Sequence, residues 1–196
     1  MKQIREGATR GGARKLEIRW ASAPLVGLAV LLLLGSSAAQ AADWYVDPAG
    51  NDGNTCMAPG AATACLTLQA AINKASATDT IHVAAGTYAV VGLVTVNKTL
   101  TLLGAQAGVD ARTRVGAESI LSNSQGMRIA ASNVVIDGFT VQDSIVAAFT
   151  GYGIWMDPST SVTGTQVVNN IIKNNIVGIG LANFCLLYTS PSPRDA

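Results

Sequence analysis

Gly126-Met-Arg-Ile, Asn133-Val-Val-Ile-Asp-Gly-Phe-Thr-Val-Gln-Asp-Ser144, Gly153-Ile-Trp-Met and Gly164-Thr-Gln-Val-Val-Asn-Asn-Ile-Ile-Lys-Asn-Asn175 form two rounds of one pattern, and Gly178-Ile-Gly-Leu opens a third. The glycines at 126, 153 and 178 step by 27 and 25 residues, a spacing at which self-similarity marks a solenoid. Each round holds short β-type runs, with apolar residues alternating at Val134 and Ile136 and again at Phe139 and Val141, separated by Gly, Asn, Asp and Ser. A helical period fits none of these runs. Strands this short are stable only when successive rounds pair through the main chain and bury one apolar column.

Two regions outside this stretch read differently. The N-terminus carries Lys2, Arg5, Arg10, Arg14, Lys15 and Arg19, an uncharged apolar run from about Ala23 to Leu34, and the small residues Ala39-Gln-Ala41. Residues 1–41 therefore read as a signal peptide cleaved before Ala42. The other use of such a run, an uncleaved anchor, asks for about 20 apolar residues. No Arg-Arg pair precedes the run, so general secretion is the expected route, to the periplasm, the cell surface or the medium. At the other end, Cys185 to Asp195 breaks the repeat and resembles a translated frame of a transposon-end adaptor used in shotgun sequencing libraries. Residues 185–196 are then not protein and the solenoid is C-terminally truncated; a natural disordered tail is the alternative.

From Ala42 to Phe184 six basic residues stand against nine acidic ones. That balance leaves no basic patch for nucleic acid, and no membrane span is expected once the leader is removed. Trp44-Tyr-Val46 is a short β-type run followed by a turn cluster. Asp47, Asn51 and Asp52 in that cluster miss the alternating spacing of a calcium loop, so turn chemistry is expected and neither a metal nor a cofactor is. Cys56 and Cys65 lie nine apart in a chain bound for an oxidising compartment, which reads as a disulfide. Leu68, Ala71, Ile72 and Ala75 recur at helical spacing, with Thr67 as N-cap and Gln69, Asn73 and Lys74 outward. This short α-helix, within an N-terminal region 42–77, is expected to cap the coils of 78–184.

Trp44-Tyr-Val-Asp-Pro48, the Leu68-Gln-Ala-Ala-Ile72 helix, Asp79-Thr-Ile-His-Val-Ala-Ala-Gly-Thr-Tyr88, Val96-Asn-Lys-Thr-Leu-Thr-Leu-Leu-Gly-Ala105 and Val168-Asn-Asn-Ile-Ile-Lys-Asn-Asn175 together resemble the N-terminal part of a pectin-lyase-like protein, over Trp44 to about Asn183. The resemblance implies an all-β fold, a right-handed parallel β-helix. It implies a protein that binds or modifies polysaccharide as a lyase, hydrolase or epimerase, or a non-catalytic adhesin-like scaffold. The acidic and histidine motifs of those enzymes do not occur in this stretch.

Candidate chemistry is sparse. His82, the single histidine, alternates with Ile81 and Val83, which makes it surface-facing, and the sequence offers it no evident acidic partner. Asp137 and Asp143 flank the Phe139 to Val141 strand as candidate acids. Against that role, Asp137-Gly138 is turn chemistry, and Asp143-Ser144 matches Asn174-Asn175, where Asn side chains at a bend can stack as a ladder. Between Ser144 and Gly153 one round carries an inserted loop. Phe149, Tyr152 and Trp155 lie in or beside it, and Tyr152 and Trp155 are the candidate carbohydrate contacts. The alternative is that these rings fold back to bury apolar area.

Overall fold

In the computed structural model the described residues are 40–90, 92–123, 125–145 and 151–181. The residues read as a leader, as far as Ala39, Phe149 with most of the loop read as inserted, and the tail at 185–196 lie outside them. The alternating runs form thirteen short strands: β1 Asp43–Val46, β2 Thr80–Val83, β3 Gly86–Val90, β4 Val94–Val96, β5 Thr101–Leu103, β6 Ser119–Asn123, β7 Met127–Ile129, β8 Val135–Asp137, β9 Phe139–Gln142, β10 Tyr152–Met156, β11 Gln166–Val168, β12 Ile171–Lys173 and β13 Val177–Gly180. One helix, α1, spans Leu68–Lys74.

The strands make three parallel sheets, ordered β1-β2-β5-β8-β11, β3-β6-β9-β12 and β4-β7-β10-β13. From β2 onward the chain visits the three sheets in the same order four times, as a parallel β solenoid does. The spacing of the glycines matches the register. Tyr152 lies opposite Val177 and Ile154 opposite Ile179, which sets Gly153 against Gly178.

Each sheet contributes one inward row to the core. Ile81, Leu102 and Ile136 stack in the first, Leu121 and Val141 in the second, Val94, Met127 and Ile154 in the third. All are buried. Because side chains alternate with a period of two, these rows fix the opposite parity on the outside, and any slip of one residue would invert it.

The first edges of two sheets are covered. The disulfide-linked segment runs along β1, where the Tyr45 amide donates to the Cys56 carbonyl and the Cys65 amide to the Tyr45 carbonyl. Cys56 and Cys65 are bonded, their Cα atoms 5.0 Å apart. Helix α1 buries Leu68, Ala71 and Ile72, and the Thr67 hydroxyl accepts from the Ala70 amide at its N-terminus.

Two of its polar residues are not simply outward, as helical spacing suggested. The Gln69 carboxamide accepts from the Thr95 amide at 2.8 Å and donates to the Thr95 carbonyl at 3.4 Å, standing in for a strand beside β4. The Lys74 ammonium turns back onto the carbonyls of Asp52 and Asn54, each at 2.6 Å.

The helix C-terminus is closed from outside the helix. Lys98, in the turn between β4 and β5, donates to the carbonyls of Ile72, Asn73 and Ala75 at 3.0, 3.1 and 2.6 Å. A cation on these carbonyls satisfies acceptors the helix itself leaves open. Lys98→Met should therefore cost about 1–3 kcal/mol, read as a lower urea midpoint at unchanged slope; an unaltered midpoint would reduce the contact to a surface accident.

Between β5 and β6 the chain makes a long excursion, where one glycine, Gly138, serves between β8 and β9. The excursion lies against the later rounds through Arg114. That side chain is fully buried: Nη2 donates to Glu118 Oε2 at 2.9 Å and to the Phe139 carbonyl at 3.0 Å, and Nη1 donates to the Asn169 carbonyl. Its Nε lies 2.8 Å from Glu118 Oε1 as an ion pair without hydrogen-bond alignment. Glu118 in turn accepts from the Thr140 hydroxyl at 3.0 Å.

Candidate functional site

The register of the third sheet places Thr95 beside Arg128, Arg128 beside Trp155 and Trp155 beside Gly180, one residue from each of four rounds on the outer face. Parity explains this row: Met127, Ile129 and Ile154 point inward, so Arg128 and Trp155 must point out. The Arg128 guanidinium lies 5.8 Å from the centre of the Trp155 ring, a cation over an aromatic face. Tyr152 folds onto the same face, its ring 6.1 Å from that of Trp155 and tilted 16° to it. Gly180 makes room for it: a Cβ there would stand 2.5 Å from two atoms of the Tyr152 ring.

Asp157 holds Arg128 in place. Its Oδ2 accepts from both Nε, at 2.8 Å, and Nη2 of Arg128, while Oδ1 accepts from the Ser159 amide and hydroxyl at 2.9 and 2.8 Å. Burial pushes the Asp157 carboxyl up, but the Ser159 donors and the Arg128 guanidinium outweigh it and hold the group below the usual carboxylate range. The arrangement is a rigid, charge-balanced face: two near-parallel rings and a guanidinium that is about a third exposed. Such a face can stack against an apolar ring surface and donate to hydroxyl or carboxylate oxygens.

Asp137 and Asp143 sit at the two ends of β9 and are committed to amide and hydroxyl donors of the fold. Asp137 accepts from Asn169 Nδ2 at 2.9 Å and from the Gly108 amide at 3.0 Å, which ties down the β5–β6 excursion. Asp143 adopts a left-handed φ of 63°, as does Asn174 at 54° one round on, and accepts from the Gln142 carboxamide and the Ser122 hydroxyl. The expected asparagine ladder takes another form. Asn175 accepts from the Ser144 amide and donates to the Val141 carbonyl, bracing the round beneath through its backbone.

His82 does have an acidic partner, contrary to the sequence reading. Its Nε2 lies 2.9 Å from Asp43 Oδ1, and its ring stacks on Tyr45 at 5.1 Å. The partner comes from β1, 39 residues earlier, because β1 pairs with β2 so that Tyr45 falls beside His82 and Asp43 beside Thr80. Matching the apolar positions Trp44 with Ile81 and Val46 with Val83 would have revealed the pairing. His82 and Tyr45 border a groove of about 310 Å³, with Asp47 and Leu103 in its wall.

Asp47 and Asn51 each accept from an amide two residues on, at Ala49 and Gly53, and Asp52 accepts from the Leu66 and Thr67 amides and the Thr67 hydroxyl. These oxygens fold the turn and the helix start. Among the described residues no helix is long and apolar enough to cross a membrane.

Fold and surface together define a chain of stacked parallel β-sheets with an aromatic and cationic outer face. Compared with protein-family models, curated proteins and solved structures, the chain has no significant match.

Proposed function

We propose that this is an exported right-handed parallel β-helix protein of the pectin-lyase-like kind, released from its leader before Ala42, whose β7–β10 face binds polysaccharide. The observation that carries the reading is the Arg128–Trp155–Tyr152 face, held flat by strand register and by the Asp157 ion pair. Aromatic rings beside fixed hydrogen-bond donors match the alternation of C–H faces and hydroxyl edges on a sugar. Modification of the bound chain would need a proton carrier as well, and the His82–Asp43 pair lies on a different sheet from this face.

The second reading, a non-catalytic surface scaffold, is favoured by the commitment of Asp137 and Asp143 to structural donors. One experiment separates the readings: calorimetry of the purified protein with soluble neutral and uronate oligosaccharides, product analysis alongside. Trp155→Ala should weaken binding by about tenfold or more, a loss near 1.4 kcal/mol, and Gly180→Ala should weaken it too by displacing the Tyr152 ring. Binding untouched by either change would remove this face from the proposal. No binding of any saccharide would leave the scaffold.

A further inference from the structure

The geometry points to Asp79 as a receptor for the chain's own N-terminus: cleavage after Ala41 would turn the Ala42 amide into an α-ammonium seated on a buried carboxylate. Two independent observations meet at one peptide bond. In the sequence, Ala39-Gln-Ala41 places small side chains at both positions that leader removal requires. In the fold, the nitrogen of the next residue, Ala42, lies 2.8 Å from Asp79 Oδ1. The inference rests on the export reading only for the identity of that bond.

The socket is formed from three directions. Asp79 is 4% exposed, and its Oδ2 accepts from the Trp44 indole at 2.8 Å and the Ser76 amide at 2.7 Å. The Ala42 carbonyl is held as well, by the Thr80 amide at 2.9 Å, so the nitrogen cannot swing away. Gln40 and Ala41, by contrast, are exposed, which leaves space for a terminus at residue 42.

Burial pushes the Asp79 carboxyl up, but the Ala42 and Ser76 amides, the Trp44 indole and the Lys98 charge outweigh it and keep it ionised. Lys98 is engaged on helix carbonyls, and Asp43 on the neighbouring strand is paired with His82. An ammonium in place of the amide would add a full positive charge beside a carboxylate that is already buried, and so strengthen the contact that the amide gives.

The consequence is a maturation lock. Before cleavage the Asp79 carboxylate is served by neutral donors and a more distant lysine; after it, the first strand is pinned by an ion pair made from the newly freed end. The α-ammonium then gains a partner on folding, so its affinity for the proton rises above the unfolded value. Stability from this source is therefore complete below about pH 8, the ordinary range of an α-amino group, and is lost as the pH rises through the folded value.

The test uses two chains that differ by one residue, the full chain from Ala42 and the same chain carrying Ala41, each released from a tag by a protease that leaves a defined end. At pH 7 the Ala42 amine should react with an amine-selective acylating reagent about tenfold more slowly than the Ala41 amine, the effect of raising its proton affinity by about one unit. The thermal midpoint of the Ala42 form should exceed that of the extended form at pH 6.5, with the gap closing by about pH 10. Asp79→Asn should abolish both differences; should that variant not fold, the comparison of the two native chains decides alone. Equal labelling rates with equal midpoints would overturn the proposal. An exported product that starts elsewhere would sink the leader assignment without touching the socket, because the defined chains measure the socket directly.

Discussion

Arg114→Met should destabilise the protein by about 3 kcal/mol, the low end of the cost of leaving a mostly buried carboxylate without its cation. Glu118 would keep the Thr140 hydroxyl and lose two guanidinium contacts, and the carbonyls of Phe139 and Asn169 would lose this donor. Arg114→Lys should recover a minor share, because an ammonium carries the charge but cannot spread donors over a carboxylate and two separate carbonyls. Arg114→Met with Glu118→Gln should be less harmful than Arg114→Met alone, since the orphaned charge goes with the second change. Urea titrations of the four proteins settle the matter. A single Arg114→Met loss below about 1 kcal/mol would mean that the side chain is solvated in solution.

The second large effect belongs to Gly138, which turns the chain between β8 and β9. Its φ is +80°, and a Cβ there would lie 2.1 Å from the Ala107 nitrogen and 2.3 Å from the Gln106 carbonyl carbon. Gly138→Ala would add left-handed strain to a collision with backbone that has no rotamer to escape into. About 2–5 kcal/mol should be lost, as a lower thermal midpoint. The same turn one round on supplies the control: Asn169 holds a φ of 50° with its side chain in place, reaching Asp137. Asn169→Gly should cost only that hydrogen bond, about 0.5–1.5 kcal/mol. If Gly138→Ala and Asn169→Gly fall equally, the excursion does not press on this turn in solution.

What was legible in the sequence follows from distance along the chain. The strands from β7 to β13 repeat within about one round, so glycine spacing and alternation sufficed to read stacked parallel strands, and helical periodicity with Thr67 sufficed for α1. The outward parity of Trp155 was readable from the same alternation; its pairing with Arg128 needed the register between rounds. Longer reaches were invisible. Arg114 meets groups 25 and 55 residues ahead, His82 meets Asp43 39 residues behind, and Asp79 gathers the Ala42 and Trp44 donors from 37 and 35 residues away. None of these pairs stands in a pattern that repeats, and each depends on which round lies beside which. Gln69 and Lys98 escape local pattern for a related reason. Both are polar residues at surface positions by local pattern, and both are spent on closing an edge that only the assembled stack possesses.

The forward reach of Arg114 also puts the steps of assembly in order. Most of the pairing here joins neighbouring rounds, so rounds can be added one after another as the polypeptide emerges, at little loop-closure cost. Arg114 is an exception, because its last acceptor, the Asn169 carbonyl, is delivered 55 residues later. A chain threaded through a translocation pore from its N-terminus would hold the β5–β6 excursion unlatched until the turn after β11 had come through. The latch thus ties the second round to the docking of the fourth.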